Sequence, residues 1–152
     1  MDEHPNLQLD RDACLSRLAS VSTARLAVSL HALPHIVLAD FRLIDLADTP
    51  EVVIRIAAGA NLLDAFRDSI VAAEAEQLDP VDRTGWVVVL QGKSRLVADP
   101  GEIAAAASSF GGADDLPHRF AAIRSDRVHG CLVVGHHPLT SIDPHLGLLP
   151  LV

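Results

Sequence analysis

The stretch DPVDRTGWVVVLQGKSRLVADP, residues 79–100, decides the fold. It starts with a predicted turn over residues 79–84 and continues as one run of alternating side chains from Trp86 to Ala98. Trp86 and every second residue after it lie on one face of such a strand, and apolar residues dominate both faces at its start. This pattern predicts the longest strand of the protein, shared between a barrel interior and a second packed surface.

Hydrophobic periodicity predicts further strands and helices on both sides of this stretch. Two strands, around residues 26–30 and 37–43, are expected to be joined near residues 32–34, and a third follows at 52–57. Later strands are predicted at 69–74, 118–125 and 127–135. The predicted helices cover residues 11–20 after a cap at Asp10, the residues from Gly59 to about Asp68, and residues 101–109 after Asp99 and Pro100.

The element order predicts a mainly β fold. Six or seven short, mostly antiparallel strands with a few helices in 152 residues are typical of a small closed barrel whose ends are plugged by helices, and a β-sandwich is the main alternative. We expect one domain over residues 1–152, with a flexible N-terminus at 1–9 and an extended C-terminal tail at 136–152.

Charge and motif content disfavour several function classes. Twelve basic and twenty acidic residues give a net charge of −8, which repels nucleic acid at long range. Cys14 and Cys131 are the only cysteines and are interpreted as buried or idle thiols. His136 and His137 are adjacent and no metal-binding spacing of histidines occurs, so no metal site is predicted. The acidic N-terminus has no secretory signal, and no apolar run reaches membrane-spanning length; we expect a cytoplasmic protein without a membrane partner.

Three segments resemble a known family: ASVSTARLAVSLHALPHIV at 19–37, VIRIAAGANL at 53–62, and the block D-P-x-x-R-T-G-W-x-V-V-x-x-G at 79–92. Together they resemble the pyridoxamine 5′-phosphate oxidase-like, FMN-binding split-barrel family, in particular its short actinobacterial-type members. The resemblance covers residues 10 to 135. It implies a six-stranded antiparallel split β-barrel, a homodimer, and two FMN sites along the dimer interface.

The resemblance also implies where the flavin phosphate would be bound. The family commonly carries R-T-x-x-G-S-[KR] after its third strand, and the matching residues here begin with Arg55 and include Gly59, Ala60 and Asn61. Arg55 and Gly59 are retained, whereas Ile56 and Ala60 replace the hydroxyl residues and Asn61 replaces the cation. Each hydrogen bond that involves a charged group contributes about 1.5 to 3 kcal/mol, so we expect a weakened cofactor site.

Other positions depart from the family pattern as well. Val87 stands where the family often has serine, and Leu38, Ala39 and Asp40 stand where it has P-V-N. Arg42 is a candidate substitute cation for the phosphate; the alternative is that Arg42 pairs with a nearby carboxylate. Trp86 is expected either to line the flavin pocket and dimer core or simply to fill the barrel core.

Two functions follow from these observations. The first is a flavin-dependent oxidoreductase that binds FMN, or a deazaflavin in its place, through Arg55, Gly59, Ala60, Asn61, Arg42 and Trp86, with catalytic residues not identified. The second is a cofactor-free dimeric binding or structural protein on the same fold, or a haem-binding relative. The hydrophobic content of 49% and the two-sided apolar strands favour a homodimer in either case.

Overall fold

The computed structural model describes residues 7–57, 60–111, 117–134, 140–143 and 147–150. Its strands are β1 (Gln8–Leu9), β2 (Thr23–Leu30), β3 (Leu33–Leu46), β4 (Thr49–Ala57), β5 (Ile70–Leu78), β6 (Gly85–Leu96), β7 (His118–Arg124), β8 (Arg127–Val133), β9 (Thr140–Asp143) and β10 (Gly147–Pro150). Its helices are α1 (Arg11–Ala19), a 3₁₀ helix (Asn61–Phe66) and α2 (Pro100–Ser109).

Six antiparallel strands close into a ring in the order β6, β5, β2, β3, β4, β7, and β7 pairs back onto β6. Strand β8 pairs with the other part of β6, and the short β1 pairs with β8. The barrel is therefore split at the point where β6 stops pairing with β8 and begins to pair with β7. The prediction of a mainly β, six-stranded antiparallel split barrel is confirmed, and the ring excludes a sandwich.

Gly92 marks the split. Strand β6 pairs with β8 up to Gln91, which lies opposite Arg127, and with β7 from Ser94 onward. A Cβ on Gly92 would lie 1.8 Å from the carbonyl oxygen of Arg124, so only glycine lets the two strands approach this closely. The glycine that ends the recognised sequence block is required by this close approach.

Two hydrophobic cores lie on opposite sides of the barrel wall. The interior core includes Leu26, Phe41, Ile54 and Leu90, all fully buried. The outer core lies between α2 and the outer surface of β3, β4 and β7 and consists of Leu46, Val53, Val97, Ala106, Phe120 and Ala122. Because side chains alternate along a strand, each residue of β3 and β4 belongs to one of these two sides.

Both α-helices begin where the sequence predicts. Asp10 accepts a hydrogen bond from the Ala13 amide at 2.8 Å at the start of α1. Asp99 accepts from the Glu102 amide at 3.0 Å at the start of α2, and Pro100 occupies the first turn. These contacts satisfy amides that would otherwise lack a partner, which is why such residues cap helices.

Three predictions about individual elements were wrong. Strand β6 ends at Leu96, and β3, with 14 residues, is longer than its 12. The β2–β3 turn consists of His31 and Ala32, both with positive φ, and Pro34 already belongs to β3. The helix expected up to Asp68 is a six-residue 3₁₀ helix that ends at Phe66. Two-residue turns with positive φ at both positions usually contain Gly, Asn or Asp, and His31 and Ala32 are none of these, so the sequence does not mark this turn.

The ends of the chain are described in part. Gln8 and Leu9, within the segment expected to be flexible, form β1, and the described parts of the tail form the antiparallel pair β9–β10. Gly59, residues 112–116 of the predicted loop, and His136, His137 and His145 lie outside the described residues. Among the helices that the structure describes, none has the length and apolar character needed to cross a membrane.

Candidate functional site

Two of the predicted cofactor residues, Arg42 and Arg55, lie side by side on the outer surface of the barrel. Strand β3 pairs with β4 so that Phe41 lies opposite Ile54, which brings Asp40 next to Arg55 at the following step. One oxygen of Asp40 lies 2.9 Å from Arg42 Nη1, and the other lies 3.6 Å from Arg55 Nη2. The expectation that Arg42 pairs with a nearby carboxylate is confirmed, and the same carboxylate also contacts Arg55.

Phe110, the residue that ends α2, fixes both guanidinium groups. The central guanidinium carbon lies 4.7 Å from the ring centre for Arg42 and 5.4 Å for Arg55. Phe110 itself stacks on Phe120 at 5.9 Å. Arg42 Nε also donates to the Ser109 carbonyl at 3.2 Å, where the dipole of α2 favours positive charge. Asp40, Arg42, Arg55 and Phe110 form what we call the arginine cluster.

The arginine cluster can bind an anion. The side chains of Arg55 and Arg42 keep 28% and 33% of their surface exposed, and Asp40 keeps 41%. Guanidinium groups held on an aromatic ring are pre-organised donors for phosphate or carboxylate. Asp40 already supplies one negative charge to them, so an incoming anion competes with this side chain.

Exposed apolar side chains precede the arginine cluster on the same face of β3. Ile36 and Leu38 are 79% and 70% exposed, and Asp40 and Arg42 continue their alternation. Ile70, at the start of β5, is 73% exposed. We call Ile36, Leu38 and Ile70 the outer apolar face. A surface of this kind is typical of a contact with a partner or a planar ligand.

Ala60 and Asn61 line a separate pocket of about 490 Å³ between the end of β2 and the 3₁₀ helix. The other residues that line it are Leu30, His31, Leu63, Asp64 and Arg67. The Ala60 amide donates to the Ala57 carbonyl at 3.1 Å and is therefore engaged within the chain. Among the described residues that line this pocket, only Arg67 carries a permanent positive charge, and it pairs with Asp64 at 3.0 Å.

Trp86 lies in the interior core and is 3% exposed. Its indole Nε1 donates to Gln77 Oε1 at 3.3 Å, and the Arg17 guanidinium lies 5.9 Å from its ring centre. The side chain thus sits on the opposite side of the barrel wall from Arg42 and Arg55. This position agrees with the simpler interpretation that Trp86 fills the core.

Sequence reasoning missed several residues around these sites. Phe110 follows an alanine-rich helix and precedes Gly111 and Gly112, and nothing local indicates that it reaches β3 and β4. His31 and Arg67 are ordinary exposed-type residues in a turn and a loop. Asp40 is not among the missed residues, since the sequence places it on the same strand face as Arg42 at a spacing of two residues.

A second charged cluster lies on the outer surface near the start of α2. Arg95 contacts Glu102 at 2.8 Å and Glu51 at 3.2 Å. Glu51 is 3% exposed, and burial raises the pKa of its carboxyl although Arg95 acts in the opposite direction. This arrangement joins β4, β6 and α2, and we interpret it as structural.

The remaining metal-binding or nucleophilic side chains do not form a site in the described part of the chain. In those residues, no group of three or more His, Cys, Asp or Glu side chains is placed to hold a metal ion. Cys14 and Cys131 are free and buried, as predicted, and burial raises the pKa of both thiols.

Comparison with known proteins places this fold in a family. Residues 10–134 match the family model described as pyridoxamine 5′-phosphate oxidase. An uncharacterised protein of Mycobacterium tuberculosis, Rv0080, is 37% identical over 103 residues, which cover 64% of this chain and 65% of that protein. The chain thus spans about two thirds of the length of this relative.

Solved structures show the same fold. A conserved protein of unknown function from Corynebacterium diphtheriae is 31% identical with a TM-score of 0.69, over 85% of this chain and 99% of that chain. A protein from Mycobacterium smegmatis described as FAD binding is 24% identical with a TM-score of 0.68, over 84% of this chain and 98% of that one. The family model covers most of the chain, and the closed, split barrel agrees with it. The chain therefore belongs to the pyridoxamine 5′-phosphate oxidase family.

Proposed function

We propose that this protein is a homodimeric flavin-nucleotide-binding protein, with FMN as cofactor, that acts as an oxidoreductase. The observation that carries the proposal is the arginine cluster, in which two guanidinium groups meet at the end of the outer apolar face. Membership of the family and a structural relative described as FAD binding support the same class of ligand.

The residues present fit a flavin nucleotide in part. Arg42 and Arg55 suit a phosphate group, and apolar side chains such as Leu38 suit a planar ring. Asp40 opposes the phosphate because it adds negative charge between the two arginines. The fit therefore favours weakened rather than tight binding. Contacts of Gly59, Ala60, Asn61 and Trp86 with the cofactor remain predictions.

A bound flavin would supply the electron and hydride transfer. The chain's own residues would bind and orient it and exclude water. Arg42 and Arg55 would hold the charged end, and β3, which pairs with β2 up to Asp40 and with β4 from Phe41, would give a rigid support. Their positions on strands rather than on loops favour a defined orientation of the ligand.

The homodimer is proposed from the outer apolar face. Ile36, Leu38 and Ile70 are exposed to at least 70%, and apolar surface of this kind is usually covered by a partner. A second copy of the chain is the occupant we propose, because a symmetric pair covers the same patch on both copies at once. The dimer would place the arginine cluster next to the interface, since β3 carries both features.

A second candidate function is a cofactor-free dimeric binding protein. The contact of Asp40 with both arginines favours it, because the cations are already neutralised in part by the chain itself. The two candidates share the dimer and differ only in the ligand.

Titration of the purified protein with FMN, FAD, a deazaflavin and haemin, followed by absorbance and fluorescence, tests the proposal. We expect one flavin per chain to bind, and an Arg55→Gln variant to bind FMN at least about fivefold more weakly through loss of a charge-assisted contact. Arg124→Gln is the matched control, since Arg124 lies on the neighbouring strand in an exposed ion pair with Asp126. Saturating haemin binding without flavin binding, or no binding at all, would refute the proposal.

A further inference from the structure

We infer that Asp40 acts as an internal competitor for anions at the arginine cluster, so that the site holds the phosphate of FMN more weakly than its two arginines alone would. This inference rests on the proposed flavin site. It concerns the strength with which the cluster binds the phosphate group, which the proposed function does not specify.

The geometry places Asp40 where an external anion would bind. Its two carboxylate oxygens face different arginines, at 2.9 Å from Arg42 and 3.6 Å from Arg55. A phosphate group makes the same type of forked contact with two guanidinium groups. The carboxylate and the phosphate therefore compete for the same donors.

The surroundings keep Asp40 in this place. Strand β3 pairs with β2 at Thr23 opposite Asp40 and with β4 just beyond it, so the backbone cannot swing the carboxylate away. Arg42 is held from the other side by Phe110 and by the Ser109 carbonyl. A phosphate that enters would have to bind beside Asp40 or displace its side chain, and both cost free energy.

Charge gives the direction of the effect. A phosphate monoester carries up to two negative charges at neutral pH, whereas the ribityl chain of riboflavin carries none. With the dielectric constant of bulk water, repulsion between Asp40 and a dianion at about 5 to 6 Å corresponds to roughly tenfold in affinity. Riboflavin lacks this repulsion.

The test compares FMN and riboflavin on Asp40→Asn. Dissociation constants are measured by quenching of flavin fluorescence for the wild type, Asp40→Asn and the control Asp45→Asn, which removes one exposed carboxylate from the same strand. We expect Asp40→Asn to tighten FMN by about tenfold and riboflavin by less than about twofold, and Asp45→Asn to change neither. Equal shifts for both flavins, or an unchanged FMN affinity, would overturn the inference.

A double variant and an inorganic probe separate this inference from the proposed function. Arg55→Gln should weaken FMN binding both in the wild type and in the Asp40→Asn background; an FMN affinity that does not depend on Arg55 in either background overturns the role of the cluster. Inorganic pyrophosphate should raise the thermal midpoint of Asp40→Asn more than that of the wild type. If no flavin binds to any variant, the proposed function fails, and the pyrophosphate shift alone then supports or refutes the role of Asp40.

The same measurements are repeated on Asp40→Thr. This variant removes the carboxylate with a residue that favours strands, so it keeps the test decisive if the asparagine variant folds poorly. We expect Asp40→Thr to bind FMN about tenfold more tightly than the wild type, as Asp40→Asn does. We also expect pyrophosphate to raise its thermal midpoint as much as that of Asp40→Asn.

Discussion

Gly92 lies directly against the backbone of Arg124, and a Cβ on this glycine would come within 1.8 Å of the Arg124 carbonyl oxygen. The contact lies where β6 changes partners from β8 to β7, so neither strand can move without breaking the barrel's closure. The Asp126 carboxylate, which accepts from the Lys93 amide at 3.2 Å, holds the turn between β7 and β8 in place.

Gly92→Ala is therefore expected to destabilise the protein by about 3 kcal/mol or more, at the upper end of what overpacking costs. Urea unfolding followed by circular dichroism measures the change. Gly101→Ala in α2 is the control, and its expected change is within about 1 kcal/mol, because alanine is a good helix former and the nearest atom is the Asp99 carboxylate at 3.1 Å. Equal effects of the two substitutions would show that the close approach at Gly92 is unimportant.

A double variant tests the dimer. Ile36→Lys with Leu38→Lys places two charges on the outer apolar face and is expected to convert a dimer into a monomer, because a buried unpaired charge opposes association. Sedimentation velocity at micromolar concentration measures the assembly state. Val81→Lys is the control, since Val81 is 83% exposed but lies in the turn before β6. A wild-type monomer, or a variant that remains dimeric, would contradict the prediction.

Glu51→Gln tests the buried carboxyl beside Arg95. Burial raises the pKa of Glu51 in the folded protein above its value in the unfolded chain. Between the unfolded-state and folded-state pKa values, the folded protein binds more protons than the unfolded chain. The contribution of Glu51 to the free energy of unfolding therefore falls as pH rises through this range. When pH rises from the usual pKa of glutamate towards neutrality, we expect the free energy of unfolding to fall less in Glu51→Gln than in the wild type.

The measurement is urea unfolding at a series of pH values, with the difference between variant and wild type plotted against pH. Asp45→Asn serves as the control for removal of a carboxylate from the same region. A difference between Glu51→Gln and wild type that does not change with pH would show that the carboxyl titrates alike in the folded and unfolded states.

The two cysteines should be unreactive in the folded protein. Cys14 and Cys131 are 0% and 1% exposed, and burial raises the pKa of both thiols. Reaction with a thiol-specific chromogenic disulfide reagent is expected to be at least roughly 100-fold slower in the native protein than in concentrated guanidinium chloride, because the reactive thiolate is both scarce and inaccessible. Rapid labelling of either thiol in the folded state would contradict this description of the core.

Local patterns in the sequence determined most of the elements. Asp10 and Asp99 accept hydrogen bonds from amides three residues further along, and Pro100 has the fixed φ of a first helical turn, so the starts of α1 and α2 could be predicted. The alternation of β6 depends only on which side chains are apolar, and its buried face agrees with the prediction from Trp86 to Ser94. The length of β3 could not be predicted in this way, because the strand serves two parts of the barrel and pairs with β2 along one half and β4 along the other.

The arginine cluster shows what only the tertiary structure decided. Asp40 and Arg42 share a strand face two residues apart, and the sequence alone suggests their pairing. Arg55 joins them through the register of β3 and β4, and Phe110 arrives from the end of a helix 55 residues further along the chain than Arg55. The register of β3 against β4 and the docking of α2 are set by the burial of both hydrophobic cores at once. This burial involves the whole barrel, so no single segment of the sequence predicts it.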